Sequence, residues 1–389
     1  MRVFLITSKL NFETAGGSVM DVHLKAKGLL ELGHDVTVVT AFSRANNITR
    51  RIPYKVCEEF VPYKGLLGLQ YGIYRILRKY EKDADIFHID GHMFLYGGGF
   101  YRLIGGKVPV VAFFNIKLNS WADTQGNATN PPIYHRIKKS IRYFLEHRFG
   151  APIANHLDAF VFNTPMVEGM YLDFGVAKNK PRAVIEDFVE TKRLSERYEV
   201  TEEQIKLRQN SSAPITIFST GRMIPEKGFD LIIRAFTLLK NKERFKVIMS
   251  GGGPDAERLK NLVSELQLGN YFEFPGWVEK TKLYGFFKEA NIFIFPKWWI
   301  EYGSALLTEA MAFGSACIIP GGGALEWLTG GAALTFKNDD FEELARQIEK
   351  LGDNQKLRID LATRVLARSR ELDYKNLATR LEKVIKFIS

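Results

Sequence analysis

Two glutamates, Glu301 and Glu309, bracket a turn in the stretch 292–314. Residues 292–295 read as a buried strand, 296–303 as the loop at its carboxyl end, and 304–313 as a helix. In doubly wound folds, ligands bind beyond the carboxyl ends of strands, where helix N-termini present free N–H groups. Glu309 shares its predicted helix face with Ala305, Leu306, Ala312 and Phe313. A carboxylate on such a face needs a partner, because an unpaired buried charge is costly. The hydroxyls of a bound ribose would serve. So would a structural Lys or Arg, and on this helix alone that is the commoner arrangement.

A second group of chemical side chains follows the apolar run 215–219. The segment 220–228 carries Arg222 and Lys227 on one predicted loop. Arg offers a planar fork of donors and Lys a mobile point charge, so together they suit a diphosphate. Taken singly, each is an ordinary solvated cation. Gly251-Gly252-Gly253 reads equally as a tight turn after a strand and as backbone placed to approach a nucleotide. In the first half, His88 and His92 flank Asp90, but no third ligand accompanies them, so a sugar-contacting or structural role outranks a metal site. Trp298-Trp299 could line a sugar pocket or simply pack. No Asp-x-Asp pair sits beside a predicted strand, and Asp339-Asp340 reads as a helix cap.

These residues need strands and helices to position them. Apolar runs at 2–7, 35–40, 86–89, 108–114 and 159–162 alternate with helical patterns, and the alternation resumes at 215–219, 246–250, 292–295 and 316–319. That predicts parallel sheets with helices on both faces, an α/β fold. Gly33 should stop the first helix. The length of 389 residues fits two domains, here 1–190 and 191–371, with a C-terminal helix over 372–389. The junction falls within 190–213, and Gln209–Pro214 is the expected linker. Cys57 and Cys317 lie far apart, which provides neither a disulfide framework nor a metal cluster and suits a reducing cytosol. No apolar run is long enough to span a bilayer. The net charge of +10 leans to the N-terminal half and suits an anionic substrate or membrane surface. No nucleic-acid motif accompanies it.

Taken in order, the segments resemble the retaining GT-B glycosyltransferases often called family 4. The matching pieces are Gly16-Gly17, Gly33-His34-Asp35-Val36, Asp85-Ile86-Phe87-His88, Gly221-Arg222 with Lys227-Gly228, Gly251-Gly252-Gly253-Pro254, Phe274-Pro275-Gly276-Trp277-Val278, Pro296, Glu301, and Glu309-Ala310-Met311-Ala312 with Gly314. The resemblance implies two Rossmann-like doubly wound domains facing a cleft. The N-terminal one would bind the acceptor and the C-terminal one a nucleotide-diphospho-sugar donor. By the same resemblance Arg222 and Lys227 grip the diphosphate, Glu301 contacts the transferred sugar, Glu309 binds the ribose, and Val278 lies near the base. Gly303, Ser304 and Ala305 would offer N–H groups to phosphate or sugar, as would the Gly16-Gly17 loop, and Gly251 would approach the nucleotide. The C-terminal helix should cross back onto the N-terminal domain.

Two departures stand out. The aromatic–Gly pair after the first glutamate is shifted one place, giving Tyr302-Gly303-Ser304. Asn115 stands where many members carry a histidine, and an amide cannot act as a base at neutral pH. Hence no general base is assigned. His88, His92, Asn115 and Trp299 are the candidate acceptor or sugar-pocket residues.

The family's retaining enzymes are thought to react on the donor's front face, the leaving phosphate helping to deprotonate the acceptor. No cofactor and no metal is then expected. The implied acceptor is a saccharide or lipid-linked saccharide, in synthesis of a cell-surface polysaccharide or glycolipid. Residues 65–82 and 134–148 read as core-facing helices with a solvated basic face or as basic amphipathic helices resting on anionic lipid, and the second would put a cytoplasmic protein peripherally on the inner face of the membrane. A dinucleotide oxidoreductase would require a G-x-G-x-x-G turn after the first strand, which is absent. A sugar-nucleotide isomerase or a degenerate scaffold remain the alternatives. The conjunction of Arg222, Lys227, Glu301 and Glu309 counts against the scaffold.

Overall fold

The computed structural model describes residues 1–13, 17–62, 65–116, 140–211, 214–297 and 303–389. They form two units, Met1–Val189 with Tyr374–Ser389, and Glu190–Asp373.

The first unit holds a seven-stranded parallel sheet. Its strands are β1 (Arg2–Thr7), β2 (Asp35–Thr40), β3 (Lys55–Glu58), β4 (Ile86–Asp90), β5 (Val110–Phe114), β6 (Ala159–Phe162) and β7 (Arg182–Val184), in the order β3-β2-β1-β4-β5-β6-β7. The central strands are apolar on both faces, as a sheet covered by helices on both sides demands. The sequence places β5 from residue 108, but pairing starts at Val110. Pro109 has no N–H to give a ladder and contributes only its carbonyl, which accepts from Phe87 N at 2.9 Å. The short strands β3 and β7 escape the apolar-run criterion because they are only half-covered.

Helix α1 (Gly17–Glu31) follows β1 and stops at Gly33, whose φ of +89° is open to glycine at little cost. Helices α2 (Gly65–Tyr80) and α3 (Leu95–Leu103) precede β4 and β5. The C-terminal helix, Tyr374–Ile388, belongs to this unit. It packs on α1 so closely that a Cβ on Gly28 would lie 2.5 Å from Ala378 Cβ. Tyr374 donates to Glu31, and Arg380 pairs with Glu186 at 2.7 Å.

The second unit holds a six-stranded parallel sheet. Its strands are β8 (Ile215–Thr220), β9 (Phe245–Ser250), β10 (Phe272–Gly276), β11 (Ile292–Ile294), β12 (Ala316–Pro320) and β13 (Leu334–Phe336), in the order β10-β9-β8-β11-β12-β13. Gln209, the first residue of the stretch expected to be a linker, is structural instead. Residues Glu202–Asn210 form a helix, and Gln209 is buried, donating to the Asn291 carbonyl at 3.0 Å and accepting from Arg358 at 2.7 Å. Its polarity satisfies backbone groups at the amino edge of the sheet, a use that composition alone cannot distinguish from solvent exposure. The chain leaves the first unit earlier, after Val189.

Candidate functional site

In the second unit the chain order reverses beside β8, with β9 on one side and β11 on the other. Connections that part at such a point leave a crevice at the carboxyl end of the sheet. The β8 strand runs there into Gly221, Arg222 and Met223, then a single 3₁₀ turn, Pro225–Lys227. Gly228, at φ +66°, opens the next helix, Phe229–Thr237. A Cβ on Gly228 would lie 2.7 Å from Lys297 Cβ, so the position requires glycine twice over.

The glycine triplet after β9 clamps this loop. Gly221 N donates to Ser250 O at 3.2 Å, Met223 N to Gly252 O at 2.9 Å, and Asp255 N to Met223 O at 3.1 Å. A Cβ on Gly253 would fall 2.2 Å from the Met223 carbonyl oxygen. Gly251 in turn donates to Gly276 O at 2.9 Å, tying in the loop after β10. The triplet therefore serves first as a close backbone-to-backbone fit that fixes the Arg222 loop. Beyond Gly276 the chain presents Trp277, 81% exposed, and the half-buried Val278.

Arg222 is exposed and Lys227 half-buried on this one loop. Burial, and then the positive charge of Arg222, push the Lys227 ammonium down to about 8. Two cations are thus held close enough to repel at the switch point. Lys297, a third cation beyond β11, is drawn away by Asp339 at 2.5 Å. Asp340 caps the helix that follows, accepting from Glu343 N at 2.8 Å, as its sequence position predicts.

The helix Ala305–Ala312 begins on the same edge. Its first N–H groups lack intrahelical partners by geometry. Ser304 uses its hydroxyl as the N-cap, accepting from Leu307 N at 3.1 Å, so its side chain is committed to the helix. Gly303 and Ala305 flank it, both half-buried. One turn further on, Glu309 Oε1 accepts from Tyr284 at 3.0 Å and pairs with Lys280 at 3.1 Å. The protein thus supplies partners for this carboxylate itself, as a buried charge requires. Tyr284 is locked in the phenol form by burial and by Glu309 beside it. Glu309 still keeps 13% of its side-chain surface. Glu301, Trp298 and Trp299 lie outside the described residues, as does Gly16.

In the first unit Gly17 is the first residue of α1. Asn115 follows β5 and is half-buried. His92 opens a 3₁₀ turn after β4. His88 departs from the expectation of a sugar contact. It points inside the sheet layer with no exposed surface, its ring stacked on Phe113. Burial and then Lys25 push its pKa down to about 3, so it is neutral and sealed from ligand. Among the described residues no group of three or more His, Cys, Asp or Glu is placed to hold a metal ion. Sequence reasoning passed over Asp21, Lys25 and Asn163, which are buried at the carboxyl edge of this sheet, and the half-buried Asp187. The available signal was Asp21 and Lys25 one turn apart in the first helix.

Two family models match this chain. The model for Glycosyltransferase Family 4 covers residues 15–193, and that for Glycosyl transferases group 1 covers 200–366. Curated relatives include an uncharacterized glycosyltransferase of Methanocaldococcus jannaschii, 29% identical over 226 residues, which are 57% of this chain and 56% of that protein. Another is the lipopolysaccharide core biosynthesis glycosyltransferase LpsE of Rhizobium meliloti, 28% identical over 209 residues, 53% of this chain and 57% of LpsE. The chain spans about half the length of these curated relatives. Among solved structures, HepE of Anabaena in complex with UDP is 16% identical and superposes over 100% of both chains with a TM-score of 0.75, a likeness of fold.

Proposed function

Because this chain belongs to the GT-B glycosyltransferases of the family 4 type, we propose that it moves a sugar from a nucleotide-diphospho-sugar to a saccharide or lipid-linked acceptor with retention of configuration. The observation that carries this reading is the convergence of Arg222 and Lys227 at the switch point of the second sheet. Two cations on a loop fixed by glycine backbone suit a diphosphate, whose two phosphates can meet both. As the glycosidic bond to the donor breaks, negative charge grows on the leaving diphosphate. Arg222, Lys227 and the N-terminus of the helix Ala305–Ala312 meet that charge without rearrangement. The leaving phosphate oxygen takes the acceptor's proton, so Asn115 need not act as a base. No cofactor or divalent ion is needed to complete this charge balance.

Glu309 receives the ribose. Tyr284 and Lys280 both contact Oε1, which fixes the carboxylate plane before a ligand arrives. Val278 and Trp277 border the base, and Gly303 and Ala305 present backbone N–H groups to phosphate or sugar. Glu301 contacts the transferred sugar, and Trp299, His92, Asn115 and the Gly16-Gly17 loop complete the reading as neighbours of sugar or acceptor.

The product is a cell-surface polysaccharide or glycolipid, a reading that the part of LpsE in lipopolysaccharide core biosynthesis supports. The chain works on the inner face of a membrane. No described helix is long and apolar enough to span a bilayer. Ile141, Phe144, Leu145 and Phe149 form an exposed apolar stripe at helical spacing beside Arg148, which supports contact with anionic lipid. Leu66, Leu67 and Tyr71 at the start of α2 are exposed as well.

The test is turnover of a matched nucleotide sugar and acceptor in the presence of EDTA, with the anomeric configuration of the product read by NMR. A retained configuration and full activity under chelation are expected. An inverted product, or activity lost to EDTA and restored by a divalent ion, would overturn the mechanism.

A further inference from the structure

Lys297 lies just beyond β11, the strand beside β8 at the switch point. Its stem runs along the Arg222 loop. A Cβ on Gly228 would lie 2.7 Å from Lys297 Cβ and 3.0 Å from its Cδ. Lys227, the residue before Gly228, holds its Nζ 5.8 Å from the centre of the Phe295 ring. Lys227 and Lys297 therefore border the same strand end. Lys297 keeps 23% of its side-chain surface, so solvent reaches it where it stands.

The ammonium of Lys297 is turned to Asp339, whose Oδ1 is 2.5 Å from Nζ. Asp339 lies in the loop between β13 and the helix Phe341–Asp353. Of the Asp339-Asp340 pair, Asp340 is engaged as the cap of that helix, and Asp339 is the one that meets the lysine. Asp339 stands at φ +68°, a left-handed conformation uncommon outside glycine, and such positions cluster at ligand clamps and switches. Its side chain is 54% exposed. A pair this open to water holds Lys297 weakly, and a stronger anion can take the ammonium over.

Charge decides what such an exchange achieves. A diphosphate esterified at both ends carries about two negative charges, which Arg222 and Lys227 match. When the bond between the anomeric carbon and the phosphate oxygen breaks, its electron pair stays on that oxygen. The diphosphate then carries about three charges until the acceptor's proton arrives. A cation that joins it at that stage favours the transition state over the bound donor. We propose that Lys297 is the third cation of the donor site, held on Asp339 while the donor is intact and transferred to the leaving diphosphate as its third charge develops, an inference that rests on the transfer reaction proposed above. Asp339 is the positioning residue of this exchange. A side chain at position 228 would meet the lysine stem, so glycine there keeps its path open.

The experiment titrates the full chain in metal-free buffer at about pH 7.5, where a terminal phosphate is largely ionised. The ligands are UDP, GDP, ADP and dTDP, each compared with its β-methyl ester. A diphosphate and its ester differ by one methyl group and one negative charge. The wild type should bind one of the diphosphates more tightly than its ester, by roughly tenfold. Lys297→Met keeps the stem and should cut that ratio to about twofold, while ester affinity stays within about twofold. Asn adopts the left-handed turn as readily as Asp, so Asp339→Asn frees Lys297 without disturbing the backbone. It should widen the ratio by roughly threefold, and the double variant should lose that gain. An ion pair that only braced the fold would shift diphosphate and ester alike in both variants. That result overturns the exchange, as does an unchanged ratio in Lys297→Met. Should Lys297→Met fail to fold, Asp339→Asn decides, and a ratio left at the wild-type value overturns the proposal. A wild-type protein that binds no nucleoside diphosphate refutes the donor site of the second unit itself, and the proposal with it.

Discussion

Gly251 lies against Gly221 so closely that a Cβ on Gly251 would fall 1.9 Å from the Gly221 carbonyl oxygen. Its φ of +129° is also one that L side chains rarely adopt. The loop that carries Arg222 is thus held in place by a glycine on the neighbouring strand's loop. Gly251→Ala should lower stability by about 2 kcal/mol or more and weaken nucleotide binding together with it. Denaturant melts and calorimetric titration with the bound nucleotide check this. Wild-type stability in the variant would show that the two loops are not packed as described.

Glu309 and Tyr284 make a second pair. Glu309→Ala removes the ribose acceptor and should weaken nucleotide binding by roughly tenfold or more. Tyr284→Phe keeps the carboxylate but loosens its aim, so a smaller loss, about threefold, is expected. Equal affinities in wild type and Glu309→Ala would remove the ribose assignment.

Lys227 is the group whose titration should be visible. Its ammonium is depressed to about 8, so the free protein loses this charge as pH rises through that value. A bound diphosphate favours the charged form and restores the proton. Nucleotide affinity should therefore be constant below about pH 7 and fall above about pH 8, while Lys227→Met should bind weakly at every pH with this limb absent. Titrations between pH 6.5 and 9.5 (roughly one unit and a half on either side) provide the measurement. A limb that persists in Lys227→Met would assign it to another group.

The apolar stripe of the first unit leads to a vesicle prediction. The full chain should sediment with phosphatidylglycerol-containing vesicles and not with pure phosphatidylcholine. Phe144→Glu should reduce that binding by roughly fivefold or more without changing nucleotide affinity. Equal sedimentation of wild type and variant would detach the stripe from membrane binding.

The sequence made some of this legible and hid the rest for physical reasons. Alternating apolar runs mark the central strands, because strands buried on both faces must be apolar throughout. The edge strands β3 and β13 are half-covered and carry mixed residues, so the same signal misses them. Gly33 and Asp340 were readable because a helix stop and an N-cap each demand particular residue types at one position. The Gly251–Gly253 triplet was readable as glycine but not as a clamp, since its contact with Gly221 and Met223 is made across strands. In one dimension His88 is open to a sugar-contacting or a structural role. Its place on β4, between two covered faces, is a property of the sheet. Gln209 misled in the opposite direction, a polar residue whose donors and acceptors are spent on buried backbone. Lys25, buried among Asp21, Asp90 and Phe113, violates the ordinary rule that lysine lies outside, and only the fold brings its partners together.

The central claim is that the Arg222 loop binds the diphosphate of a nucleotide sugar. It is tested most directly by melting the purified full chain with UDP, GDP, ADP, dTDP and CMP in metal-free buffer. A ligand of the native state raises the melting temperature with the logarithm of its concentration over Kd. One nucleoside diphosphate should raise it, and Arg222→Ala should abolish the shift. A shift of equal size in wild type and Arg222→Ala would contradict the account.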